Sequence, residues 1–334
     1  MRLGLIGLGR IGSFHARTLT DLPAVDSLVV TDALPAVTAE VAGRVGAEAV
    51  DSSAELLAAG VDGVLIAAAT KAHPALLLAA VDAGLPVFCE KPVARAVGDA
   101  VAVAERARDS GVPVQIGYPR RFDPVFRAAR AAVASGELGW LHTVRSTTLD
   151  PAPPPAAYVA GSGGIFRDCT VHDIDTVRWV TGREVVEVYA TGSSRGDAFI
   201  AEAGDLATAA VVLTLDDDTV ALVSNSRYNP RGYDVRLELH GSADSVVAGL
   251  DDGLPLRSLE PGAAFPAGPP HRSFMDRLAV AFRAELAAFT EVVAGTRPSP
   301  CTIAEALEVA WVAEAATRSL HVHRPVRLDE LRSL

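Results

Sequence analysis

The sequence predicts an α/β protein: an N-terminal doubly wound parallel sheet, followed by an α+β domain whose sheet is largely antiparallel. Three observations lead there. Short apolar runs alternate with Ala- and Leu-rich helical stretches as far as Gly117, the first run ends in a glycine-rich turn, and beyond Arg121 strand-like runs succeed one another with only turns between them. A chain of 334 residues suits two domains, set at residues 1–120 and 121–334.

In the first domain the expected strands are Leu3 to Gly7, Leu28 to Thr31, Gly63 to Ala68, Val87 to Cys89 and Val114 to Gly117. Helical stretches such as Pro74 to Ala83 and Val97 to Ser110 lie between them, with Gly84 and Gly111 as stops. In the second domain a helix is expected over Pro124 to Ser135, a strand over Leu141 to Leu149, and a helix over about Phe166 to Val180. Strands follow at Val185 to Thr191, Thr208 to Leu215, Thr219 to Ser226 and Val235 to His240, with Asp216-Asp217-Asp218 as the clearest turn. Arg272 to Ala294 and Thr302 to His321 read as helices, and Pro325 to Leu328 as a returning strand. Pro261 to Pro270 is a Pro-, Gly- and Ala-rich loop, and the chain contains no internal repeat.

Composition excludes several classes of function. Hydrophobic residues make up 49% and charged residues 21%, the balance of a globular chain rather than a disordered one. The net charge of -11 with no opposing basic cluster argues against nucleic acid as a partner. No signal-like or membrane-length apolar run is present, so a cytoplasmic protein without membrane partners is expected. The three cysteines are scattered, which suggests neither a disulfide framework nor a zinc knuckle.

The turn Gly7-Leu8-Gly9-Arg10-Ile11-Gly12 matches GxGxxG between a strand and a helix. Gly7 makes the tight turn, Gly9 admits a pyrophosphate to the backbone, and Gly12 lets the helix approach the sheet, so Gly7, Gly9, Arg10, Ile11 and Gly12 are the expected dinucleotide contacts. A solvated Arg10 is the alternative for that residue. Asp32 closes the second strand twenty positions past Gly12 and is expected to accept hydrogen bonds from ribose hydroxyls and to repel a 2′-phosphate, which favours NAD over NADP. The competing reading of Asp32 is a turn acid.

Glu90-Lys91-Pro92 follows Val87 to Cys89, at the carboxyl edge of the sheet where ligands bind. Together with the glycine turn, it resembles the Gfo/Idh/MocA family of NAD(P)-dependent oxidoreductases, whose EKP lysine lies at the substrate. The likeness continues through Gln115 to Asp123 and through Gly163-Gly164-Ile165-Phe166-Arg167-Asp168-Cys169-Thr170-Val171-His172-Asp173-Ile174-Asp175, which is most similar to the inositol 2-dehydrogenase branch. The resemblance implies a Rossmann NAD domain, with Thr70, His73 and Glu90 beside the cofactor, and an open sheet face that mediates homo-oligomer contacts as a dimer or tetramer. Alternating Val220, Leu222, Leu237 and Leu239 suit such a face, and equally a buried core. His73 has a second reading as a helix-terminal residue without a catalytic part.

Asp168 and His172 are four apart, so on a helix they share one face, where the carboxylate raises the basicity of the imidazole and orients it. Alcohol oxidation needs a base for the hydroxyl proton, and His172 is expected to fill that role while Lys91 stabilises the developing alkoxide. The family's Lys, Asp and His map onto Lys91, Asp168 and His172. A plain surface pair is the bland reading of Asp168 and His172. A metal is not expected, because no third ligand accompanies them and Cys169 points elsewhere on the helix. A polyol demands several polar contacts; besides Lys91, Asp168 and His172, the expected ones are Arg121, Asp150, Asp175 and Tyr233. Pairing with Arg178 is the alternative for Asp175 and strand packing for Tyr233, with Tyr228 competing for its role. The leading expectation is an NAD-dependent cyclitol or sugar dehydrogenase, best matched to myo-inositol 2-dehydrogenase. An NAD-dependent glycosidase and a non-catalytic dinucleotide and sugar sensor are the other two readings.

Overall fold

The structure, a computed structural model, describes residues 1–332. The chain forms two compact units: Met1–Tyr118 with Phe282–Glu308, and Pro119–Ala281 with Val309–Leu334. The simple division at residue 120 therefore needs one amendment. Leu286, Phe289 and Val292, on the helix Ala279–Val293, pack into the same core as Leu3, Leu5, Val30, Leu65 and Phe88. The apolar stripe of that helix is the physical reason for the return, and the polar main chain follows it: Gln115 Nε2 donates to the Glu285 carbonyl at 3.1 Å and the Ile116 N–H to the Cys301 carbonyl at 2.9 Å.

Among the described residues of the first unit, six strands form a parallel sheet: β1 (Arg2–Ile6), β2 (Ser27–Thr31), β3 (Glu48–Ala49), β4 (Gly63–Ile66), β5 (Val87–Glu90) and β6 (Val114–Gly117). Their order is β3-β2-β1-β4-β5-β6, so the strand order reverses between β1 and β4, which opens a crevice at their carboxyl ends. Four expected strands are present within two residues at each end and Val114–Gly117 is unchanged; β3 is too short to carry a periodic signal. The helices Arg10–Thr20, Pro35–Val45, Ser53–Ala58, His73–Asp82 and Val97–Ser110 make the five crossovers.

The second sheet has the order β12-β11-β7-β10-β9-β8-β13. Its strands are β7 (Leu141–Leu149), β8 (Val185–Ser193), β9 (Thr208–Leu215), β10 (Val220–Ser226), β11 (Asp234–Gly241), β12 (Ser245–Ala248) and β13 (Val326–Arg327). Neighbours run antiparallel except β7 and β10, which are parallel. One face is apolar and buried, with Val144, Val211, Leu213, Val223, Leu237 and Leu239 on it, and the helices Pro124–Ser135 and Val171–Thr181 pack against this sheet. The other face carries Arg145, Thr147, Tyr189, Val212, Leu222, Ser224 and Glu238. The four residues read as one alternating face thus divide: Leu237 and Leu239 are fully buried, while Val220 and Leu222 lie on the open side. Strand periodicity fixes which residues share a face but not which face is covered.

Candidate active site

The dinucleotide turn begins where β1 ends. Gly7 has φ +91°, and a Cβ there would lie 2.5 Å from the backbone of Ala68 at the end of β4, so only glycine fits. A Cβ on Gly12 would meet the Gly7 carbonyl at 2.0 Å, which is the close helix approach expected of that position. Gly9 differs: nothing lies within 4 Å of where its Cβ would stand. Gly9 also caps the helix Arg10–Thr20 without a side-chain hydrogen bond, and a helix start presents main-chain N–H groups that its own turns do not satisfy. An open glycine cradle at a helix N-terminus is the environment a pyrophosphate requires, so these residues fit NAD.

The Asp32 carboxylate accepts the Leu8 N–H at 2.7 Å and the Leu34 N–H at 2.9 Å. It therefore does act as a turn acid, and it ties the end of β2 to the centre of the glycine turn. Each carboxylate oxygen accepts more than one bond, so ribose contact and the turn role are compatible.

Thr70 opens a short turn of 3-10 helix, Thr70–Ala72, and is half-buried. His73 begins the following helix and is 1% exposed, with Nδ1 2.8 Å from the Pro92 carbonyl and Nε2 2.9 Å from the Ala68 carbonyl. Both ring nitrogens thus face main chain, not a ligand. Burial lowers the His73 pKa, and the two carbonyls and Glu90 only partly oppose it. Glu90, expected beside the cofactor, turns its carboxylate inward to His15 Nε2 at 2.7 Å. His15 has no exposed surface and sits among Phe14, Phe88 and Phe282, an aromatic wall that leaves Glu90 as its polar partner. Lys91 follows directly, half-buried at the carboxyl end of β5. Burial pushes the neighbouring Cys89 thiol well up, with the Glu90 charge adding to the effect, so it is no nucleophile at neutral pH.

In the second unit the segment expected as one helix has two parts. Phe166–Thr170 winds as a π-helix and Val171–Thr181 as an α-helix, so Asp168 and His172 straddle a change of winding. Such wide turns recur at functional sites. Asp168 is held from two sides: the Tyr158 hydroxyl donates to Oδ1 at 2.8 Å and Arg227 Nη1 to Oδ2 at 3.2 Å. Arg227, just past β10 and 1% exposed, also donates to Asp205 at 2.8 Å. Burial works against its charge, but Asp168 and Asp205 outweigh it and raise the Arg227 pKa. His172 is half-buried, and its carbonyl accepts the Thr176 hydroxyl at 2.6 Å.

The residues after His172 anchor its helix. Asp173 is fully buried and accepts from Arg120 at 2.9 Å, Ser146 at 2.6 Å, Thr148 at 2.8 Å and Asn225 at 2.8 Å. Burial disfavours the Arg120 guanidinium, but Asp173 more than compensates and raises its pKa. Two positions on, Asp175 meets Arg121, with Nη2 at 2.6 Å and Nε at 3.0 Å. Asp175 is therefore engaged by Arg121, while Arg178 pairs with Glu184 at 2.7 Å. Asp150, expected at the substrate, is half-buried after β7, where its N–H donates to the Ser226 carbonyl at 2.8 Å. Tyr233 takes the packing reading: it is 5% exposed, lies edge-on to Phe274 at 6.4 Å between centroids, and burial pushes its hydroxyl pKa up. The Tyr228 hydroxyl donates to Asp197, 31 residues earlier, at 2.8 Å and accepts the Asp197 N–H at 2.7 Å.

Sequence reasoning missed Arg120, Asp173, Arg227, Asp205 and His15. The adjacent arginines Arg120-Arg121 and the Asp173-x-Asp175 spacing contained a signal for two of them: neighbouring cations matched by two helical acids. Nothing local in the sequence marked Arg227, which reaches Asp168 from 59 residues away.

Residues 1–118 match the family model described as oxidoreductase family, NAD-binding Rossmann fold, and residues 126–247 match the Gfo/Idh/MocA C-terminal domain. The chain is 39% identical over 301 residues to the myo-inositol dehydrogenase Hyg17 of Streptomyces leeuwenhoekii, covering 90% of each protein. It superposes on the crystal structure of a myo-inositol dehydrogenase from Corynebacterium glutamicum with a TM-score of 0.90, at 35% identity and 98% coverage of both chains. A scyllo-inositol dehydrogenase from Lactobacillus casei, solved with bound NAD(H) and scyllo-inositol, matches at a TM-score of 0.87 and 27% identity, covering 98% of this chain and 99% of that one. With both domain models and whole-length relatives in agreement, the chain belongs to the Gfo/Idh/MocA family of NAD-dependent oxidoreductases.

Proposed function

We propose that this protein oxidises a secondary alcohol of a cyclitol, with myo-inositol as the substrate and the 2-ketone as the product. The observation that carries this reading is the likeness of the chain, over nearly its whole length, to inositol dehydrogenases. When bound, NAD supplies the hydride acceptor. His172 takes the hydroxyl proton, Lys91 hydrogen-bonds the same oxygen as negative charge grows on it, and Asp168 supports the imidazole electrostatically. The clamp of Arg227 and Tyr158, one donor on each carboxylate oxygen, fixes the orientation of Asp168. Arg121 and Asp175 serve the site by fixing the helix that carries His172, and Asp150 supplies a polar contact to the ring hydroxyls. Gly7, Gly9, Arg10, Ile11, Gly12, Thr70 and Asp32 hold the cofactor, with Asp32 selecting NAD by charge repulsion of a 2′-phosphate.

The open face of the seven-stranded sheet, with Tyr189, Val220 and Leu222 exposed on it, is assigned to contact with a second copy of the chain in a homodimer or homotetramer. No helix among the described residues is long and apolar enough to cross a membrane, and action in the cytoplasm is part of this reading. The glycosidase and sensor alternatives are not favoured: the curated relatives include several inositol dehydrogenases, and a sensor has no need of a proton-transfer pair.

Incubating the protein with NAD and a panel of myo-inositol, scyllo-inositol and aldoses, while following reduced cofactor, tests the substrate. Turnover is expected with myo-inositol, and its absence with every cyclitol overturns the reading. Light scattering reports the assembly state, and a monomer at micromolar concentration overturns the interface assignment.

A further inference from the structure

Lys91 stands between two residues that are each held by a buried histidine. On its amino side the Glu90 carboxylate is bonded to His15 Nε2 at 2.7 Å, and on its carboxyl side the Pro92 carbonyl faces His73 Nδ1 at 2.8 Å. The His73 contact is the more direct constraint, because a bond to a main-chain carbonyl fixes the peptide path one residue from Lys91, whereas a bond to the Glu90 side chain acts through three rotatable bonds. The other His73 nitrogen reaches the Ala68 carbonyl at 2.9 Å, and Ala68 is the residue against which Gly7 packs. One imidazole thus spans from the end of β4, under the dinucleotide turn, to the loop that carries Lys91.

We propose that His73 is a positioning residue for Lys91, acting through the Pro92 carbonyl. Two carbonyls on one ring define how it acts. A neutral imidazole carries one N–H, so one of the two contacts receives it, and the bond that matters for Lys91 is the one from Nδ1. The charged groups that bear on the ring are Glu90 and Lys91, one of each sign. Removing the ring takes away the donor that faces the Pro92 carbonyl at 2.8 Å, so the loop loses the contact that fixes its path and is free to shift. A shift of about 1 Å at a reacting group is worth up to about a hundredfold in rate.

Resting as it does on the assignment of Lys91 to the substrate oxygen, this role is tested by a cycle that separates the two. The variants are Lys91→Ala, His73→Ala, His73→Asn and His73→Gln, with each His73 change also made in the Lys91→Ala background. Turnover of myo-inositol, the KM for NAD and the melting temperature are read for each. Asn keeps a donor near the δ position that faces Pro92; Gln keeps one near the ε position that faces Ala68. The expected result is a roughly tenfold to hundredfold fall in kcat for His73→Ala at an unchanged KM for NAD, substantial rescue by Asn but not by Gln, and no further loss from any His73 change once Lys91 is alanine. Independent, multiplying losses overturn the positioning role, as does equal behaviour of Asn and Gln. Failure of all three His73 variants to fold assigns the residue to packing and overturns it too. If Lys91→Ala alone retains full turnover, it is the proposed function that fails.

Discussion

Replacing Asp173 with asparagine changes one oxygen for an NH2 group and leaves the volume nearly constant, yet the structure predicts a large effect. The carboxylate accepts from Arg120, Ser146, Thr148 and Asn225, and neither Asp173 nor Arg120 is more than 2% exposed. Asparagine removes the negative charge that offsets the buried guanidinium and turns a donor toward other donors. Breaking a buried ion pair from one side costs about 3–5 kcal/mol, and for a unit of about this size that is roughly 6–20 °C in melting temperature. Because Asp173 follows His172 directly on the same helix, turnover is expected to fall with stability. Circular dichroism melts of Asp173→Asn beside the wild type measure the shift. The double variant Arg120→Met with Asp173→Asn is expected to recover part of the loss, since it removes the uncompensated cation. A single variant that melts within about 2 °C of wild type would refute the claim that this ion pair anchors the helix.

Three further outcomes follow from the same geometry. His172→Ala is expected to lower kcat by about a hundredfold or more, with Lys91→Ala similar, while the NAD dissociation constant measured by fluorescence titration stays within a few-fold. Asp32→Ala is expected to raise the NADP to NAD preference by about tenfold or more, read as the ratio of kcat/KM values, and also to cost stability because the Leu8 and Leu34 N–H groups lose their acceptor. Burial lowers the His73 pKa from its ordinary 6.5, so the unfolded chain takes up this proton before the folded one. Stability is then lost as pH falls below 6.5 and through the folded pKa, with a slope of about 1.4 kcal/mol per pH unit from this one group; denaturant titrations of His73→Gln across that range should show a shallower acid limb.

Much of the fold was legible because its signals are local. Val97–Ser110, Pro124–Ser135, Leu141–Leu149 and Thr208–Leu215 agree with expectation at both ends, and each is bounded by a glycine, a proline or an Asp-rich turn or carries a clear period. The four-residue strand β12 was not expected, and the helix expected over Arg272 to Ala294 is two, Phe274–Arg277 and Ala279–Val293; three further kinds of feature escaped. The two-residue strands β3 and β13 owe their existence to a neighbour rather than to their own pattern, although Pro325 to Leu328 did suggest the second. The π-helix at Phe166–Thr170 leaves no trace in a periodicity read at 3.6 residues per turn. Partner choice was the third: the chemistry of Asp175 was plain from its type, but that Arg121 rather than Arg178 engages it depends on a turn 54 residues earlier. For the site, Lys91, Asp168 and His172 stood out by motif. Tyr158 lies only ten residues from Asp168, but Arg227 on Asp168, His15 on Glu90 and His73 on Pro92 act across 59, 75 and 19 residues, contacts that a single sequence does not display.

The return of residues 282–308 into the first unit bears on how the molecule is born. As the chain leaves the ribosome, β1 to β6 emerge early, but the surface meant for Leu286, Phe289 and Val292 stays uncovered until most of the protein has been synthesised. Over that interval the nascent nucleotide-binding half carries an exposed apolar groove, a natural target for chaperones and a hazard for aggregation. The same packing limits protein engineering: a fragment ending at Tyr118 would lack one wall of its own interior.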